Sequence, residues 1–182
     1  MVEACGAIVC ATWLDGFSTG EQSMAEELEI LTKKGASALN IVPDRNWNVA
    51  DPDLRRQKVQ KLYDIVKLAA QFDLPLNVGT EMNTFGNKLI DDFDVPELEP
   101  VRQAFMDGAY FVYGHTVLQR ALGRGYQSRW ANEHLLSRRD KNAFYTRLGA
   151  LVTPGPQSLV RLKALDPDLG PAEMLAALAL KD

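Results

Sequence analysis

Four short apolar runs, separated by helical patterns, are the feature that most constrains the fold of this chain. The runs cover residues 7–12, 38–42, 76–79 and 109–113. Between the second and third runs, Val59, Leu62 and Ile65 recur at the spacing of an amphipathic helix. Short strands separated by helices are typical of parallel βαβ units. The sequence therefore predicts an α/β fold in which parallel strands alternate with helices.

The chain beyond His115 has a helical pattern. Amphipathic stretches cover residues 117–122, 126–135, 140–148, 157–164 and 171–180. Four strands are few for a closed barrel, so we predict a partial or distorted TIM-type barrel with a helical C-terminal part. An open sheet and one part of a longer protein are the alternatives. We assign residues 1–153 to a barrel-like domain and residues 154–182 to a helical extension of the same domain.

Composition narrows the class of partner. The net charge is −4 and the lysines and arginines are scattered, so the continuous basic surface that nucleic acid requires is not expected. No apolar run reaches the roughly 18 residues that span a bilayer, and the N-terminus lacks the order of a secretory signal. Cys5 and Cys10 are the only cysteines and are expected to be reduced thiols. We therefore predict a cytoplasmic protein without a nucleic-acid or membrane partner.

A polar side chain follows each of the four predicted strands. These residues are Asp15, Asp44, Glu81 and His115. The carboxyl ends of parallel strands meet at one edge of a sheet, where α/β folds keep their sites. Carboxylates and imidazoles bind divalent cations such as zinc or manganese. The pattern predicts a metal site with Glu81, His115 and Asp15 as ligands, although each can also be an ordinary loop or cap residue.

Three further polar residues belong to the same predicted edge. The Arg45 guanidinium can hold an anionic substrate through two hydrogen bonds, or it can pair with Asp44 or Glu81. Asp44 is a possible ligand or orienting group, and Asn83 follows Glu81 closely in the sequence. We predict Arg45, Asp44 and Asn83 as the catalytic residues and a small anion as the substrate.

Nucleotide binding at a glycine-rich loop is a weaker alternative. Residues 16–20 begin and end with glycine, but they are too few for a phosphate-binding P-loop and contain no lysine. Residues 123–125 also contain two glycines, yet they follow a helical pattern and are more simply a helix end. A nucleotide would therefore need a site of another kind.

The segment Gly79-Thr80-Glu81-Met82-Asn83 carries a resemblance to a known family. It is similar to the strand end Gly-hydrophobic-Glu-hydrophobic-Asn of the PHP superfamily, the polymerase and histidinol phosphatase group of metal-dependent phosphoesterases. The order of segments across residues 7–116 also looks like this family, whose fold is a distorted barrel. The resemblance implies metal-dependent hydrolysis of a phosphoester or a related small substrate.

The remaining family motifs are altered in this chain. Ile8-Val9-Cys10 stands where the family has His-x-His, and Pro43-Asp44-Arg45 stands where it has Thr-Asp-His. Leu14-Asp15-Gly16 takes the place of Ser-Asp-Gly, and His115 is the candidate for a later metal-binding histidine. Three imidazoles of the family pattern are therefore replaced.

Two functions follow from this resemblance and its departures. The first is a metal-dependent, phosphoesterase-like hydrolase with its site at the carboxyl ends of the strands. The alternative is a metal-free domain or barrel fragment that acts as a binding or structural module, using Arg45 and Asn83 for an anionic ligand. Because a partial barrel exposes a strand edge, we also predict a homodimer or association with a missing barrel half.

Overall fold

The computed structural model describes residues 2–80, 82 and 90–180, apart from the side chain of Glu3. The chain divides into two compact units. One unit is Val9–Met106, and the other combines Met1–Ile8 with Asp107–Asp182. We call them the sheet unit and the helical unit. The predicted site residues Glu81 and Asn83 lie outside the described residues.

Among the described residues of the sheet unit, a parallel sheet of three strands is the centre. The strands are β1 (Cys10–Trp13), β2 (Ala38–Ile41) and β3 (Leu76–Val78), in the spatial order β1-β2-β3. Both pairs are parallel. The prediction of parallel strands at these three places is confirmed, and their carboxyl ends lie at one edge.

The two faces of this sheet differ in polarity. Thr12, Asn40 and Asn77 are in register across one face. The Asn77 side-chain amide donates to Asn40 Oδ1 at 2.7 Å. Because successive residues of a strand point to opposite faces, Trp13 and Ile41 lie on the other face, where both are buried in the core. The helices of the unit therefore cover the apolar face.

Helices accompany the strands of the sheet unit, and two short ones begin in segments 13–20 and 44–48, where the sequence predicts loops. They are α1 (Thr19–Gln22), α2 (Met24–Lys33), α3 (Asp44–Trp47), α4 (Pro52–Gln71), a 3-10 helix (Pro96–Val101) and the first residues of α5 (Arg102–Leu122). Asp51 caps α4 by accepting from the backbone N–H groups of Asp53 and Leu54, both at 2.9 Å. Gly35 follows the end of α2 with a φ of 103°, a conformation that glycine adopts without strain.

The core of the sheet unit joins the sheet to these helices. Leu28 of α2, Leu62 of α4 and Leu39 of β2 are fully buried in one cluster, and Leu98 of the 3-10 helix is 1% exposed. Burying a leucine side chain contributes about 1.5–3 kcal/mol. This cluster holds the strands in place and so fixes the loops at their carboxyl ends.

The helical unit is built from the rest of α5 and four later helices. These are α6 (Arg129–His134), α7 (Arg138–Leu151), α8 (Pro156–Lys163) and α9 (Pro171–Ala179). A short 3-10 helix, Glu3–Cys5, also belongs to this unit. Aromatic rings form its centre: Phe111 meets Tyr126 and Tyr145 edge to face, with centroids 5.4 and 6.4 Å apart.

Helices α5 and α7 approach each other through two glycines. A Cβ added to Gly114 would lie 2.0 Å from the Tyr145 carbonyl oxygen, and one added to Gly149 would lie 1.9 Å from the Tyr110 carbonyl oxygen. No side chain fits at such distances. The two backbones are therefore in direct contact at this crossing.

The predicted barrel is wrong for the described part of the chain. Of the described residues, 61% are helical, and the small parallel sheet among them is not closed. The predicted fourth strand, residues 109–113, lies inside α5. The buried residues Phe111, His115 and Leu118 recur there every three or four positions, which is the period of a helix. A short apolar run flanked by Gly108 and Gly114 resembles a strand, but here Gly114 serves helix packing.

None of the described helices is long and apolar enough to cross a membrane.

Candidate functional site

The carboxyl edge of the sheet brings together the residues that directly follow the three strands. Leu14 and Asp15 follow β1, Asp44 follows β2, and Thr80 follows β3. Because the three strands are adjacent and parallel, these residues lie at the same edge. Open α/β sheets bind their ligands at this edge, outside the carboxyl ends of the strands.

Asp15 is held by contacts from two parts of the sheet unit. The Lys58 ammonium of α4 donates to Asp15 Oδ2 at 2.8 Å, and the Phe17 backbone N–H donates to Oδ1 at 3.1 Å. The Asp15 and Lys58 side chains are 24% and 17% exposed. Partial burial alone would raise the Asp15 pKa, but the hydrogen bonds and the charges of Lys58 and Arg45 outweigh it and lower that pKa. Asp15 is therefore ionised and paired at neutral pH.

Asp44 and Arg45 open the short helix α3 after β2. The Asn48 side-chain amide donates to both Asp44 carboxylate oxygens, at 3.2 Å each. The Arg45 backbone carbonyl oxygen lies 3.5 Å from Lys58 Nζ, while the Arg45 side chain is exposed. The structure thus places Asp15, Asp44 and Arg45 at one edge, with Lys58 between the first two loops.

His115 does not follow a strand, contrary to the prediction. It lies within α5, in the helical unit, and is 7% exposed. The Tyr126 backbone N–H donates to His115 Nδ1 at 2.9 Å, so the second nitrogen carries the proton when the ring is neutral. Burial lowers the His115 pKa, which favours this neutral form. These contacts give His115 a structural role in packing α5 against the turn before α6.

Three residues at the edge were not predicted from the sequence as site residues. In the sequence, Lys58 cannot be distinguished from the other charged residues of a long helix. Asn46 is fully buried and joins the first two loops, because its Nδ2 donates to the carbonyl oxygens of Leu14 at 3.0 Å and Val42 at 3.3 Å. Nothing in the sequence distinguishes either residue. Glu21 does have a signal, since Ser18 followed three residues later by a glutamate matches a capping box.

Glu21 organises the loop that follows β1. Its carboxylate accepts from the backbone N–H of Leu14 at 2.5 Å, from the backbone N–H of Gly16 at 3.2 Å, and from the Ser18 hydroxyl at 2.9 Å. In return, the Ser18 side chain caps α1. The loop therefore wraps around a carboxylate of its own chain.

The described residues do not fit a divalent metal ion. Among residues 2–80, 82 and 90–180, no group of three or more His, Cys, Asp or Glu side chains is arranged to hold one. One oxygen of Asp15 accepts from an ammonium ion, and both oxygens of Asp44 accept from an amide. The metal ligand set predicted from the sequence also includes Glu81, so the roles assigned to Glu81, His115 and Asp15 stay predictions.

Comparison with known proteins matched no family model, no curated protein and no solved structure.

Proposed function

We propose that the sheet unit is a metal-free binding module that takes a small anionic ligand at the carboxyl edge of its sheet. The observation that carries this proposal is the position of the Lys58 ammonium. It contacts the Asp15 carboxylate at 2.8 Å and lies 3.5 Å from the Arg45 carbonyl oxygen. The positive charge of the Lys58 side chain therefore lies between two loops at the carboxyl edge, where a metal-dependent enzyme would hold its cation.

Arg45 is the proposed contact for the ligand. Its side chain is exposed, and its positive charge makes the smallest of the contributions that lower the Asp15 pKa, after those of Lys58 and the Phe17 N–H. The Arg45 guanidinium is a positive group at this edge. A guanidinium binds phosphate and carboxylate groups through two parallel hydrogen bonds.

Titration with inorganic phosphate and phenyl phosphate, followed by nuclear magnetic resonance, tests this proposal. We expect saturable shifts of backbone amides around Arg45. Arg45→Ala removes a charge-assisted hydrogen bond of about 1.5–3 kcal/mol and should weaken binding roughly tenfold or more.

Lys34→Ala is the matched control for Arg45→Ala. It also removes one positive charge, but Lys34 is exposed between α2 and β2, at the opposite end of the strand. The control should bind the anions like the parent chain. Equal weakening in both variants, or unchanged binding in Arg45→Ala, would contradict an Arg45 site.

A metal-dependent phosphoesterase related to the PHP superfamily is the second candidate function. The order β1-β2-β3 favours it, because Asp15, Asp44 and the sequence Thr80-Glu81 follow three adjacent parallel strands. Successive loops of this kind supply the residues of many hydrolytic sites. The contacts of Asp15 and Asp44 argue against a metal site, because their carboxylate oxygens already accept hydrogen bonds from Lys58 and Asn48.

Elemental analysis separates the two functions. Zinc, manganese and iron would be measured per chain after supplementation, in the parent chain and in Glu81→Gln. The binding-module proposal expects no stoichiometric metal in either protein. About one metal ion per chain, as zinc sites hold in hydrolases, lost in Glu81→Gln, would overturn it and support the hydrolase.

A further inference from the structure

We propose that Lys141, near the start of α7, is a covalent modification site, a nucleophilic amine that reacts with small anionic aldehydes and 2-oxo acids. Lys141 belongs to the helical unit, so this inference goes beyond the anion site proposed for the sheet unit. A lysine amine attacks carbonyl carbons only in its neutral form. Partial removal from water and a neighbouring cation both favour that form.

The hydrogen bonds of Lys141 suit a neutral amine. Its Nζ donates to Asn132 Oδ1 at 2.5 Å and to the Tyr126 backbone carbonyl oxygen at 3.4 Å. Both acceptors are neutral oxygens, and they match the two N–H donors of a neutral amine, so the lone pair stays available for attack. An ammonium ion has three donors and forms its strongest hydrogen bonds with carboxylates.

The carboxylates of the two helices around Lys141 bind other partners. Asp140 Oδ2 accepts from the Ser137 backbone N–H at 3.1 Å and from the Ser137 hydroxyl at 2.6 Å. Glu133 accepts from Arg129 Nε at 2.5 Å. The sequences of α6 and α7 contain no other acidic residue. Lys141 is therefore held by neutral groups of its neighbourhood.

Positive charge next to Lys141 disfavours a second positive charge on its amine. Burial, followed by the charge of Arg138 on the same helix, lowers the Lys141 pKa. The N-terminal end of the α7 dipole acts in the same direction. The Tyr126 ring, with its centre 5.1 Å from Nζ, favours the charged form instead. The lowered pKa leaves more of this amine neutral at pH 7.5 than in an ordinary lysine.

The amine is also within reach of small molecules, because its hydrogen bond with Asn132 is exposed to solvent. In the proposed reaction, the lone pair of Nζ attacks the carbonyl carbon and a C–N bond forms. The carbonyl oxygen then leaves as water with the two amine protons, which gives an imine. An acidic group on the same molecule is attracted by Arg138, and this favours anionic carbonyl compounds over neutral ones.

Reductive alkylation with glyoxylate and cyanoborohydride at pH 7.5 tests this inference. Cyanoborohydride gives a hydride to the imine and traps it as a stable secondary amine, and peptide mass spectrometry measures the initial rate at each lysine. We expect Lys141 to react about threefold or more faster than the exposed Lys34. The advantage should be smaller with propanal, a neutral aldehyde, and it should shrink at pH 10, where ordinary lysines also become neutral.

Arg138→Gln removes the neighbouring positive charge. Lys141 should then lose part of its advantage over Lys34, whereas Arg138→Lys, which keeps the charge, should retain it. Arg147→Gln is the matched control, because it removes one positive charge from an exposed position later on the same helix. It should leave the Lys141 rate unchanged.

Three results would overturn the inference or a part of it. A Lys141 rate no higher than that of Lys34 with glyoxylate would overturn the modification site. Equal slowing in Arg138→Gln and Arg147→Gln would show an effect of net charge and overturn the role of Arg138. An equal advantage with propanal would overturn the preference for anionic carbonyl compounds. Since none of these results depends on Arg45, the anion site of the sheet unit is tested separately.

Discussion

The Asp15 and Lys58 pair gives the sheet unit a defined dependence on pH. Because the folded chain holds the Asp15 pKa below its ordinary value, the unfolded chain binds this proton more readily. The stabilising contribution of the pair is therefore complete above the ordinary aspartate pKa of about 3.9, and it is lost as the pH falls through the lower folded value.

Asp15→Asn tests this pair. We expect a loss of about 2 kcal/mol in the free energy of unfolding at pH 7, because a mostly buried ammonium loses its charged partner. Urea unfolding at pH 7 and pH 3 should also show a weaker pH dependence in this variant. Asp53→Asn is the control, since the Asp53 and Arg56 pair is largely exposed and should matter little. Equal losses in both variants would contradict the assignment.

His115 makes the stability of the helical unit depend on pH in the same direction as Asp15 does in the sheet unit, although histidine is a base and aspartate an acid. Its pKa is lowered by burial, and a proton on Nδ1 would break the hydrogen bond from the Tyr126 N–H. Stability is therefore complete above the ordinary histidine pKa of about 6.5 and falls as the pH drops toward the lower folded value.

His115→Gln should remove this acid sensitivity between pH 7.5 and pH 5, a window set around the ordinary histidine pKa of about 6.5. Urea unfolding measured at both pH values gives the comparison. His134→Gln is the control, because His134 is exposed and stacks on Trp130 at 5.1 Å. An acid sensitivity that survives in His115→Gln and disappears in His134→Gln would refute this reading of the buried ring.

Part of the candidate site was predictable from single residues. Asp15, Asp44 and Arg45 were placed at one edge because each follows a short apolar run, and parallel strands bring their carboxyl ends together. Lys58 and Asn46 were not predicted, because their contacts join segments 43 and 32 residues apart in the sequence. Such pairs depend on the packing of α3 and α4, which no local pattern encodes.

The crossing of α5 and α7 makes a prediction about whole elements. In most helix interiors, replacing glycine with alanine stabilises the helix by up to about 1 kcal/mol. At Gly114 we expect the opposite, a destabilisation of about 3 kcal/mol, because the new Cβ would meet the Tyr145 carbonyl oxygen. Thermal or urea unfolding of Gly114→Ala measures the change.

Thr116→Ala is the control for the crossing. Thr116 is exposed on the same helix, so its replacement should change the free energy of unfolding by less than about 1 kcal/mol. A neutral or stabilising effect of Gly114→Ala would show that the two backbones are not in contact.

Some element boundaries lie at residues that favour them: Asp51 before Pro52 stands at the start of α4, and Gly35 follows the end of α2. The segment 109–113 was assigned to a strand because a run of five apolar or small residues has no clear period. Its helical state depends on the contact of Gly114 with α7, which is a tertiary feature.

At the scale of the whole molecule, each unit has its own buried core. Leu62 is fully buried in the sheet unit, and Leu148 is fully buried in the helical unit. Truncating a buried leucine to alanine costs about 2–5 kcal/mol. We expect Leu62→Ala to speed amide hydrogen exchange most within residues 9–106, and Leu148→Ala to speed it most within residues 107–180.

Hydrogen exchange read by mass spectrometry of peptides measures both variants. Leu136→Ala is the control, because Leu136 is 88% exposed and its truncation should change exchange little. An increase spread evenly over the chain in both core variants would contradict two separate cores.

The predicted homodimer or missing barrel half stays a prediction. Among the described residues, β1 and β3 each pair with one strand only, so each has a second edge without a partner strand. Edges of this kind favour self-association. The apolar face of the sheet, in contrast, is covered by the helices of its own unit.

The glycine contact between α5 and α7 also constrains how this sequence can vary. Neither Gly114 nor Gly149 has space for a larger residue. As long as the two helices keep this separation, both positions have to remain glycine. Any relative with the same crossing should therefore carry a small residue at both positions, 35 residues apart. This pair provides a sequence signature for the helical unit that is independent of the residues at the sheet edge.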